Sequence, residues 1–257
     1  MHKFNATTIP TALIKKIRNA KHLVVLTGAG VSAESGIPTF RDAMTGFWQN
    51  YQAETLASAE GFGKNPELVW GWYEWRRNMV LQAKPNPAHE ALVKLATLVP
   101  KFTLATQNVD DLHERAGSVD VLHLHGSLHT PLCFACETAH VFDSTTAPEI
   151  NEEKIIEPPR CLHCGGKIRP GVVWFGEKLP NDIFQQAVAA TWTCDVMLVI
   201  GTSGFVYPVA NIPLIAIRKN ATTVQINPTS TDFDSFMTYN LVGKAGEILP
   251  ILMEQIC

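Results

Sequence analysis

Residues 22–30 read His22-Leu-Val-Val-Leu26-Thr-Gly28-Ala-Gly30, an apolar run followed at once by a glycine-rich turn. Short runs of Val, Ile and Leu without polar interruption are typical of strands that are buried on both faces, as in a parallel sheet. Similar runs recur along the chain, and their positions are 102–105, 121–124, 172–174, 196–200 and 223–226. The sequence therefore predicts a parallel sheet whose first strand ends at the glycines.

Helical patterns separate these runs. Apolar residues recur three and four positions apart in the segments 9–20, 66–83, 87–98, 180–191 and 208–219, and most of these segments begin near a proline, which suits a first helical turn. Alternating strands and helices predict an α/β fold, namely a Rossmann-like doubly wound parallel sheet. Two segments break this rhythm: 35–84, which is helical, and 129–169, which holds paired cysteines. We expect them to form a smaller lobe beside a large lobe built from residues 1–34, 85–128 and 170–257.

The composition limits the classes of function. With 257 residues, 46% of them hydrophobic, the chain is long enough for one large domain with a substantial core. Its formal net charge of -3 gives no general attraction to nucleic acids or anionic membranes. No apolar run approaches the roughly 20 residues of a membrane helix, and residues 1–10 lack a signal-peptide pattern. We expect a cytoplasmic protein, or a mitochondrial one if the source is eukaryotic and a targeting segment is missing.

Glycines and polar residues follow several of the predicted strands. In open α/β sheets the carboxyl ends of the strands form one rim, where ligands bind. The segments at this rim are Thr27-Gly28-Ala29-Gly30, Thr106-Gln107-Asn108-Val109-Asp110, His125-Gly126, Gly201-Thr202-Ser203 and Asn227. The glycine turn lacks the GxGxxG spacing, so it is as consistent with a tight strand-to-helix turn as with a phosphate site. Asp110 also suits a helix N-cap, whereas the rim position of His125 favours a general base.

The cysteines form two close pairs, Cys133/Cys136 and Cys161/Cys164. Two Cys-x-x-Cys turns supply the four thiolates of a tetrahedral zinc site, and such a closed site is structural because no position remains for a substrate. His140 and His163 are alternative ligands, although four cysteines suffice. The sequence predicts one structural zinc.

Together these segments resemble the sirtuin (Sir2) family over roughly residues 20–250, and in particular its desuccinylase and demalonylase members. The resemblance rests on the segment from Gly28 to Arg41, on Thr106–Asp110, His123-Leu-His125-Gly, the four cysteines, Val173-Trp-Phe-Gly-Glu177 and Gly201-Thr-Ser203. It implies one catalytic domain, residues 1–257, that consumes NAD to remove acyl groups from protein lysines and releases nicotinamide and O-acyl-ADP-ribose.

The resemblance also implies a cofactor site in the cleft between the two lobes. The catalytic residues would be His125, Asn108 and Asp110. His125 would take a proton from a ribose hydroxyl, which then attacks the acyl carbon. Cofactor contacts would come from Gly28, Ala29, Gly30, Ala33, Glu34, Thr39, Phe40, Arg41, Gln107, Asn108, Asp110, His125, Gly201, Thr202, Ser203, Asn227 and Ala245. The loop at residues 42–46 varies in length within the family.

By the same resemblance, the acyl-lysine protein would bind as an extended strand between residues 173–177 and 204–207. The substrate contacts would include Val173, Trp174, Phe175, Gly176, Val206 and Tyr207. Tyr73 and Arg76 lie three residues apart on a predicted helix and share a face, where a guanidinium and a phenol hydroxyl can receive a carboxylate. Ala43 would leave room for a longer acyl chain. We expect malonyl-, succinyl- or glutaryl-lysine to be used as well as or better than acetyl-lysine.

Other functions are also consistent with the sequence. Arg76 and Arg77 also suit solvated helix charges, in which case a plain acetyl-lysine deacetylase follows. A sirtuin-like ADP-ribosyltransferase needs neither Tyr73 nor Arg76. A non-catalytic NAD or ADP-ribose sensor does not need His125 and Asn108, and the acidic balance argues against a zinc-ribbon nucleic-acid module. We expect a monomer that binds neither nucleic acid nor membranes.

Overall fold

The computed structural model of the protein describes residues 3–5, 9–39, 46–142 and 155–256. A seven-stranded, all-parallel sheet forms the centre, and a two-stranded antiparallel sheet stands apart from it. The strands of the described ranges are β1 (Lys3–Asn5), β2 (Leu23–Thr27), β3 (Phe102–Thr106), β4 (Leu122–His123), β5 (Leu132–Cys133), β6 (Ile168–Arg169), β7 (Val196–Ile200), β8 (Thr222–Asn227) and β9 (Tyr239–Val242).

The helices surround the central sheet and build the region beside it. Within the described ranges they are α1 (Thr11–Arg18), α2 (Ala53–Leu56), α3 (Ala59–Lys64), α4 (Pro66–Gln82), α5 (Pro87–Leu98), α6 (Leu112–Ala116), α7 (Asn181–Trp192), α8 (Ile212–Arg218) and α9 (Ala245–Ile256). Proline opens α4 and α5, and in each case the preceding asparagine side chain accepts a backbone N–H of the first turn. None of these helices is long and apolar enough to cross a lipid bilayer.

The strand order is β1-β9-β8-β7-β2-β3-β4. From β2 the chain first builds outward through β3 and β4, and then returns to the other side of β2 to build β7, β8 and β9. The order therefore reverses between β2 and β7, which makes their carboxyl ends the expected ligand crevice of a doubly wound sheet.

Apolar side chains of the central strands are divided between the two faces of the sheet. On β2, Leu23 and Val25 join the core beneath α1, α5 and α9, whereas Val24 and Leu26 join the core beneath α7 and α8. Side chains alternate with a period of two along a strand, so an unbroken apolar run is what a strand covered on both faces requires. The predicted doubly wound fold is confirmed.

A separate aromatic cluster lies among α2, α3 and α4. Its buried members include Trp48, Phe62, Trp72 and Trp174. A smaller cluster around Trp70 of α4 contains two of the paired cysteines and packs the two-stranded sheet against this helix. Helix α4 thus contacts both the aromatic cluster and the cysteine module.

One predicted strand is wrong. Residues 172–174 form no strand of the central sheet, and Val172 makes only an isolated antiparallel bridge to Gly126. The run is apolar because Val172 and Trp174 pack into the aromatic cluster. Pattern alone does not distinguish burial against helices from burial in a sheet.

Several elements of the structure lack a clear signal in the sequence. Strands β1 and β9 and helix α9 were not predicted, because Tyr239–Val242 mixes polar and apolar residues and α9 contains Pro250. The predicted helix at 208–219 is instead a 3₁₀ turn, Val209–Asn211, followed by α8.

Candidate active site

The crevice between β2 and β7 is closed at its base by glycines. The Gly28 N–H donates to the carbonyl of Ile200 at 2.9 Å, and the Gly30 N–H donates to that of Gly201 at 2.8 Å. A Cβ on Gly30 would lie 2.6 Å from Gly201 Cα, and one on Gly201, whose φ is +62°, would lie 2.5 Å from Val31 N. Backbone packing between the two loops therefore requires glycine at these positions. The glycines therefore form a tight turn after the strand, as one of the two interpretations of this sequence predicts. Both loops lie at the expected ligand crevice.

A buried hydrogen-bond chain connects the glycine turn after β2 to the loop after β3. Asn108 Nδ2 donates to Ser32 Oγ at 3.0 Å, and this hydroxyl donates to Asp110 Oδ2, also at 3.0 Å. The other Asp110 oxygen accepts the Leu112 N–H at 3.1 Å. Burial raises the pKa of Asp110. Asp110 therefore accepts the N–H of the first residue of α6 and also fixes Ser32. The N-cap interpretation of Asp110 is wrong by one residue, because Asp111 occupies the N-cap position of this helix.

Ser32 was absent from the predicted site residues. It is 1% exposed and joins Asn108 to Asp110. Its sequence signal is weak: a small polar residue two positions beyond Gly30. Only the packing of the two loops shows that its hydroxyl lies between these side chains.

His125 lies directly after β4, partly buried at the rim. Its Nδ1 is 3.1 Å from the carbonyl oxygen of Gln107. A carbonyl only accepts, so Nδ1 carries the proton in the neutral ring and Nε2 keeps its lone pair. Burial lowers the pKa of His125, although the bond to Gln107 opposes the shift. His125 is therefore a neutral imidazole at pH 7, with its basic nitrogen on the side opposite Gln107.

His123, two residues earlier, has different surroundings. Burial lowers its pKa, but the hydrogen bond from Nε2 to Glu114 Oε1 at 2.6 Å and the charge of Glu114 outweigh burial and raise it. Nδ1 of His123 lies 3.2 Å from the Asn108 carbonyl. Both nitrogens of His123 are engaged, so of these two histidines only His125 offers a free basic nitrogen.

Other predicted cofactor residues are connected at the same rim. Gln107 Nε2 donates to Thr202 Oγ1 at 2.9 Å, and Asn227 Nδ2 donates to the Thr202 carbonyl at 3.4 Å. The Glu34 carboxylate accepts the Gly246 N–H at 2.7 Å at the start of α9, beside Ala245.

The remaining predicted cofactor residues differ in their burial. Ala29 and Thr39 are partly buried, whereas Ala33 and Ser203 are exposed. Phe40 and Arg41 of the cofactor loop and Ala43 of the substrate site lie outside the described residues.

Tyr73 and Arg76 converge on one face of α4, as predicted. The Arg76 guanidinium carbon lies 5.8 Å from the centre of the Tyr73 ring and 5.0 Å from that of Trp72. Burial raises the pKa of Tyr73 to about 12 and lowers that of Arg76, whose charge Tyr73 and Asp110 help to stabilise.

The interpretation of Arg76 and Arg77 as solvated charges is wrong. Arg77 is 3% exposed and forms a two-point ion pair with Glu74, at 3.0 and 2.7 Å. Arg76 is partly buried and packs over two aromatic rings. Arg77 thus has a structural partner on its own helix, whereas Arg76 faces Tyr73.

The two segments expected to hold a substrate strand are largely exposed. The exposed fraction is 51% for Phe175, 38% for Val206 and 69% for Tyr207, an unusual density of accessible apolar surface. Trp174 differs, because it is buried in the aromatic cluster. Val173 connects this segment to the rim, since its N–H donates to the His125 carbonyl at 2.8 Å.

The four paired cysteines converge. All four Sγ atoms lie within 4.8 Å of one another, and the described ranges add no histidine or carboxylate to this cluster. Individual Sγ separations are 3.5 Å for Cys133–Cys164, 3.7 Å for Cys136–Cys161 and 3.4 Å for Cys136–Cys164. Sulfurs around a tetrahedral zinc stand about 3.8 Å apart, given Zn–S bonds of about 2.3 Å. The cysteines fit a closed, structural zinc site.

The fold and the site define an α/β protein of Rossmann type with a four-cysteine metal site beside the crevice. The chain belongs to the Sir2 family, which matches residues 28–208. An "NAD-dependent protein deacylase" of Methylococcus capsulatus is 54% identical over 244 residues, 95% of this chain and 96% of that protein. An "NAD-dependent protein deacylase 1" of Archaeoglobus fulgidus is 48% identical over 244 residues, 95% of this chain and 96% of that protein.

Solved structures agree with this assignment. A crystal structure of a Sir2 homologue in complex with NAD has a TM-score of 0.91 and 46% identity, and covers 100% of this chain and 96% of its own. A Sir2 mutant in complex with a p53 peptide and NAD has a TM-score of 0.81 and 32% identity, and covers 96% of this chain and 98% of its own.

Proposed function

We propose that this chain, an NAD-dependent protein deacylase of the Sir2 family, prefers lysines that carry the acidic malonyl, succinyl or glutaryl groups. Relatives named as NAD-dependent protein deacylases support the reaction class. The observation that carries the acyl preference is the placement of a neutral phenol and a guanidinium, Tyr73 and Arg76, on one partly buried face of α4. An acetyl group needs neither.

The residues at the rim suit the two ends of NAD. When bound, NAD supplies an electrophilic ribose carbon and a nicotinamide leaving group. A pyrophosphate would lie at the crevice beside the glycine loops, and Glu34, Asn227 and Ala245 would lie on the adenosine side. Asn108 and Asp110 would face the nicotinamide ribose, and Ser32 keeps both side chains in one orientation before the cofactor arrives.

His125 acts as the general base in this proposal. Because Nδ1 donates to the Gln107 carbonyl, Nε2 accepts the proton of a ribose hydroxyl once nicotinamide has departed. In that departure the acyl oxygen would replace nicotinamide on the ribose carbon. The deprotonated hydroxyl would then bond to the acyl carbon, and water would add at the same carbon to release the free lysine and O-acyl-ADP-ribose. The lowered pKa of His125 keeps the base unprotonated at neutral pH.

Acyl recognition would combine charge and a directed hydrogen bond. A dicarboxylic acyl group ends in a carboxylate, which would pair with Arg76 and accept a hydrogen bond from the Tyr73 hydroxyl. The raised pKa of Tyr73, about 12, keeps this hydroxyl protonated at any working pH.

The substrate protein would pair as an extended strand between residues 173–177 and 204–207, with exposed Phe175, Val206 and Tyr207 contacting its flanking side chains. The backbone bond between Val173 and His125 would place the acyl-lysine beside the base.

We also propose a division of the chain into two lobes. Residues 1–34, 85–128 and 170–257 would form the large lobe, and residues 35–84 and 129–169 would form the small lobe. The protein would be monomeric and cytoplasmic.

Hydrolysis of matched succinyl- and acetyl-lysine peptides by the wild type and by Arg76→Met tests the proposal. Loss of one buried charge-assisted pair costs about 1.5–3 kcal/mol, so we expect kcat/KM for succinyl-lysine to fall roughly 10- to 100-fold. The acetyl-lysine rate of each enzyme is the control, and we expect it to be unchanged or higher. A strong preference for acetyl-lysine that Arg76→Met leaves unaltered would contradict the proposal. Labelled ADP-ribose on protein without acyl-ADP-ribose would instead favour a transferase.

A further inference from the structure

We propose that Trp174 is a positioning residue for acyl selectivity: its indole N–H fixes the Tyr73 hydroxyl so that the phenol proton points at the acidic acyl group. This inference rests on the proposed acidic-acyl function and deepens it. In this role Trp174 contacts Tyr73 inside the protein and does not contact the substrate protein directly.

The hydrogen-bond inventory of Tyr73 leads to this role. A phenol hydroxyl has one proton to donate and oxygen lone pairs that accept. Trp174 Nε1 donates to Tyr73 Oη at 3.1 Å, and an indole N–H is only ever a donor. The Tyr73 oxygen is therefore the acceptor in this contact. Tyr73 is 3% exposed, and the described residues provide no acceptor for its own proton.

A buried hydrogen-bond donor without an acceptor lowers the stability of the folded protein. Such a donor is therefore expected where a bound ligand supplies the acceptor. The acceptor must be an anion or a strong dipole, because Arg76 adds positive charge on the same face. A terminal carboxylate satisfies both groups together. The indole bond also polarises the hydroxyl and strengthens it as a donor.

Trp174 is itself held firmly. The guanidinium carbon of Arg169 lies 3.5 Å from the centre of the Trp174 ring, and Arg169 forms a two-point ion pair with Glu177. Glu177 Oε2 accepts the Trp174 backbone N–H at 2.8 Å, and the Phe62 ring packs 5.4 Å from the Trp174 ring. Backbone, ring face and ring edge are all fixed, so the N–H direction is fixed before the substrate binds.

The chain order connects this arrangement to the reacting centre. The Val173 N–H bonds to the His125 carbonyl at 2.8 Å, and the next residue along the chain is Trp174. One short segment therefore contacts both the general base and the acyl-recognition tyrosine. A carboxylate beyond the reacting acyl carbon would meet Tyr73 in a fixed geometry, and pre-organisation of this kind improves binding without new contacts.

A double-mutant cycle of Trp174→Phe and Tyr73→Phe tests the role. Phenylalanine keeps a ring at position 174 but removes the donor. We expect KM for succinyl-lysine to rise about 3- to 10-fold, since a neutral hydrogen bond is worth roughly 0.5–1.5 kcal/mol and here also orients a second one. We expect the loss on succinyl-lysine to lie in KM rather than in kcat and to exceed any loss on acetyl-lysine, so that the succinyl-to-acetyl ratio of kcat/KM falls. In the Tyr73→Phe background, Trp174→Phe changes the succinyl-to-acetyl ratio no further, because the hydroxyl it orients is gone.

Two further readouts separate this role from simple packing. Zinc content and melting temperature show whether Trp174→Phe is folded. If it is not, Glu177→Gln, which loosens Trp174 but keeps its ring, is expected to reduce the succinyl-to-acetyl ratio about 2- to 4-fold. Additive effects of the two phenylalanine variants, or equal losses on both peptides, would overturn the role of Trp174. A wild type without any preference for acidic acyl groups would instead overturn the proposed function.

Discussion

Acidification is predicted to destabilise the fold through a buried histidine pair behind the crevice. His89 of α5 and His113 of α6 are 0% and 1% exposed, and their rings meet edge to face with centroids 4.9 Å apart. His113 Nε2 lies 2.9 Å from Thr27 Oγ1, at the end of β2. Burial lowers the pKa of His89 to about 4 and that of His113 to about 3, and for His113 the charge of His89 adds to the effect.

The magnitude follows from proton linkage. Both folded pKa values lie below the value of 6.5 that a histidine has in the unfolded chain. The unfolded state therefore binds more protons between pH 6.5 and about 3 to 4, and the stability present above pH 6.5 is lost as the pH falls through this window. From pH 7 to pH 5 each histidine costs roughly 2 kcal/mol, or about 4 kcal/mol together, a large share of a typical total of about 5–15 kcal/mol.

Urea denaturation at pH 7, 6 and 5 measures this loss, with His89→Gln as the matched variant. Glutamine does not titrate and keeps a side-chain oxygen near the Asn86 N–H, which His89 Nδ1 accepts at 3.2 Å. We expect the drop in unfolding free energy between pH 7 and pH 5 to shrink by about half in the variant. Equal stability at pH 7 and pH 5 in the wild type, or the same drop in both proteins, would show that the buried histidines do not cause the loss.

Three further predictions concern the site and its supports. His125→Ala is expected to fold and bind zinc but to lose acyl transfer at least about 100-fold, and near-full activity in this variant would exclude His125 as the base. Because burial lowers the pKa of His125, the wild-type kcat/KM is expected to fall only below pH 6.5. Cys161→Ser is expected to reduce bound zinc from one per chain towards none and to lower the melting temperature by more than about 5 °C, as measured by elemental analysis and calorimetry; full zinc occupancy would contradict a four-cysteine site. Gly30→Ala is expected to lower the free energy of unfolding by about 1–3 kcal/mol in chemical denaturation and to weaken NAD binding in calorimetry, because its Cβ would lie 2.6 Å from Gly201 Cα. Gly63→Ala, which has open space around its Cβ, is the neutral control. Equal effects of the two variants would show that loop packing is not the reason for glycine at position 30.

The central sheet was largely predictable because burial on both faces leaves a plain sequence signal. Residues 23–26 and Val196–Ile200 are apolar throughout, and each run is followed by the residues that form the rim. The same signal failed at residues 172–174, where the apolar side chains are buried among helices. Strand β9 gave no such signal, because Asn240 on this strand is a buried polar residue that donates to the Asp234 carbonyl.

The candidate site was predictable in its residue types but not in its connections. His125, Asn108 and Asp110 stand out in the sequence because they follow strands. That Ser32 joins two of them depends on the approach of two distant loops. Likewise, the helical spacing of Tyr73 and Arg76 was visible, whereas the contact of Tyr73 with Trp174, 101 positions away in sequence, was not.

We propose that Tyr73 and Arg76 select acidic acyl groups. A competition between equimolar malonyl-, succinyl-, glutaryl- and acetyl-lysine peptides for NAD, followed by mass spectrometry of the products, measures this selection. We predict O-acyl-ADP-ribose from every peptide that is consumed, with the three acidic peptides consumed first by the wild type and with this order lost in Arg76→Met. Consumption of acetyl-lysine first by both enzymes would contradict the claim.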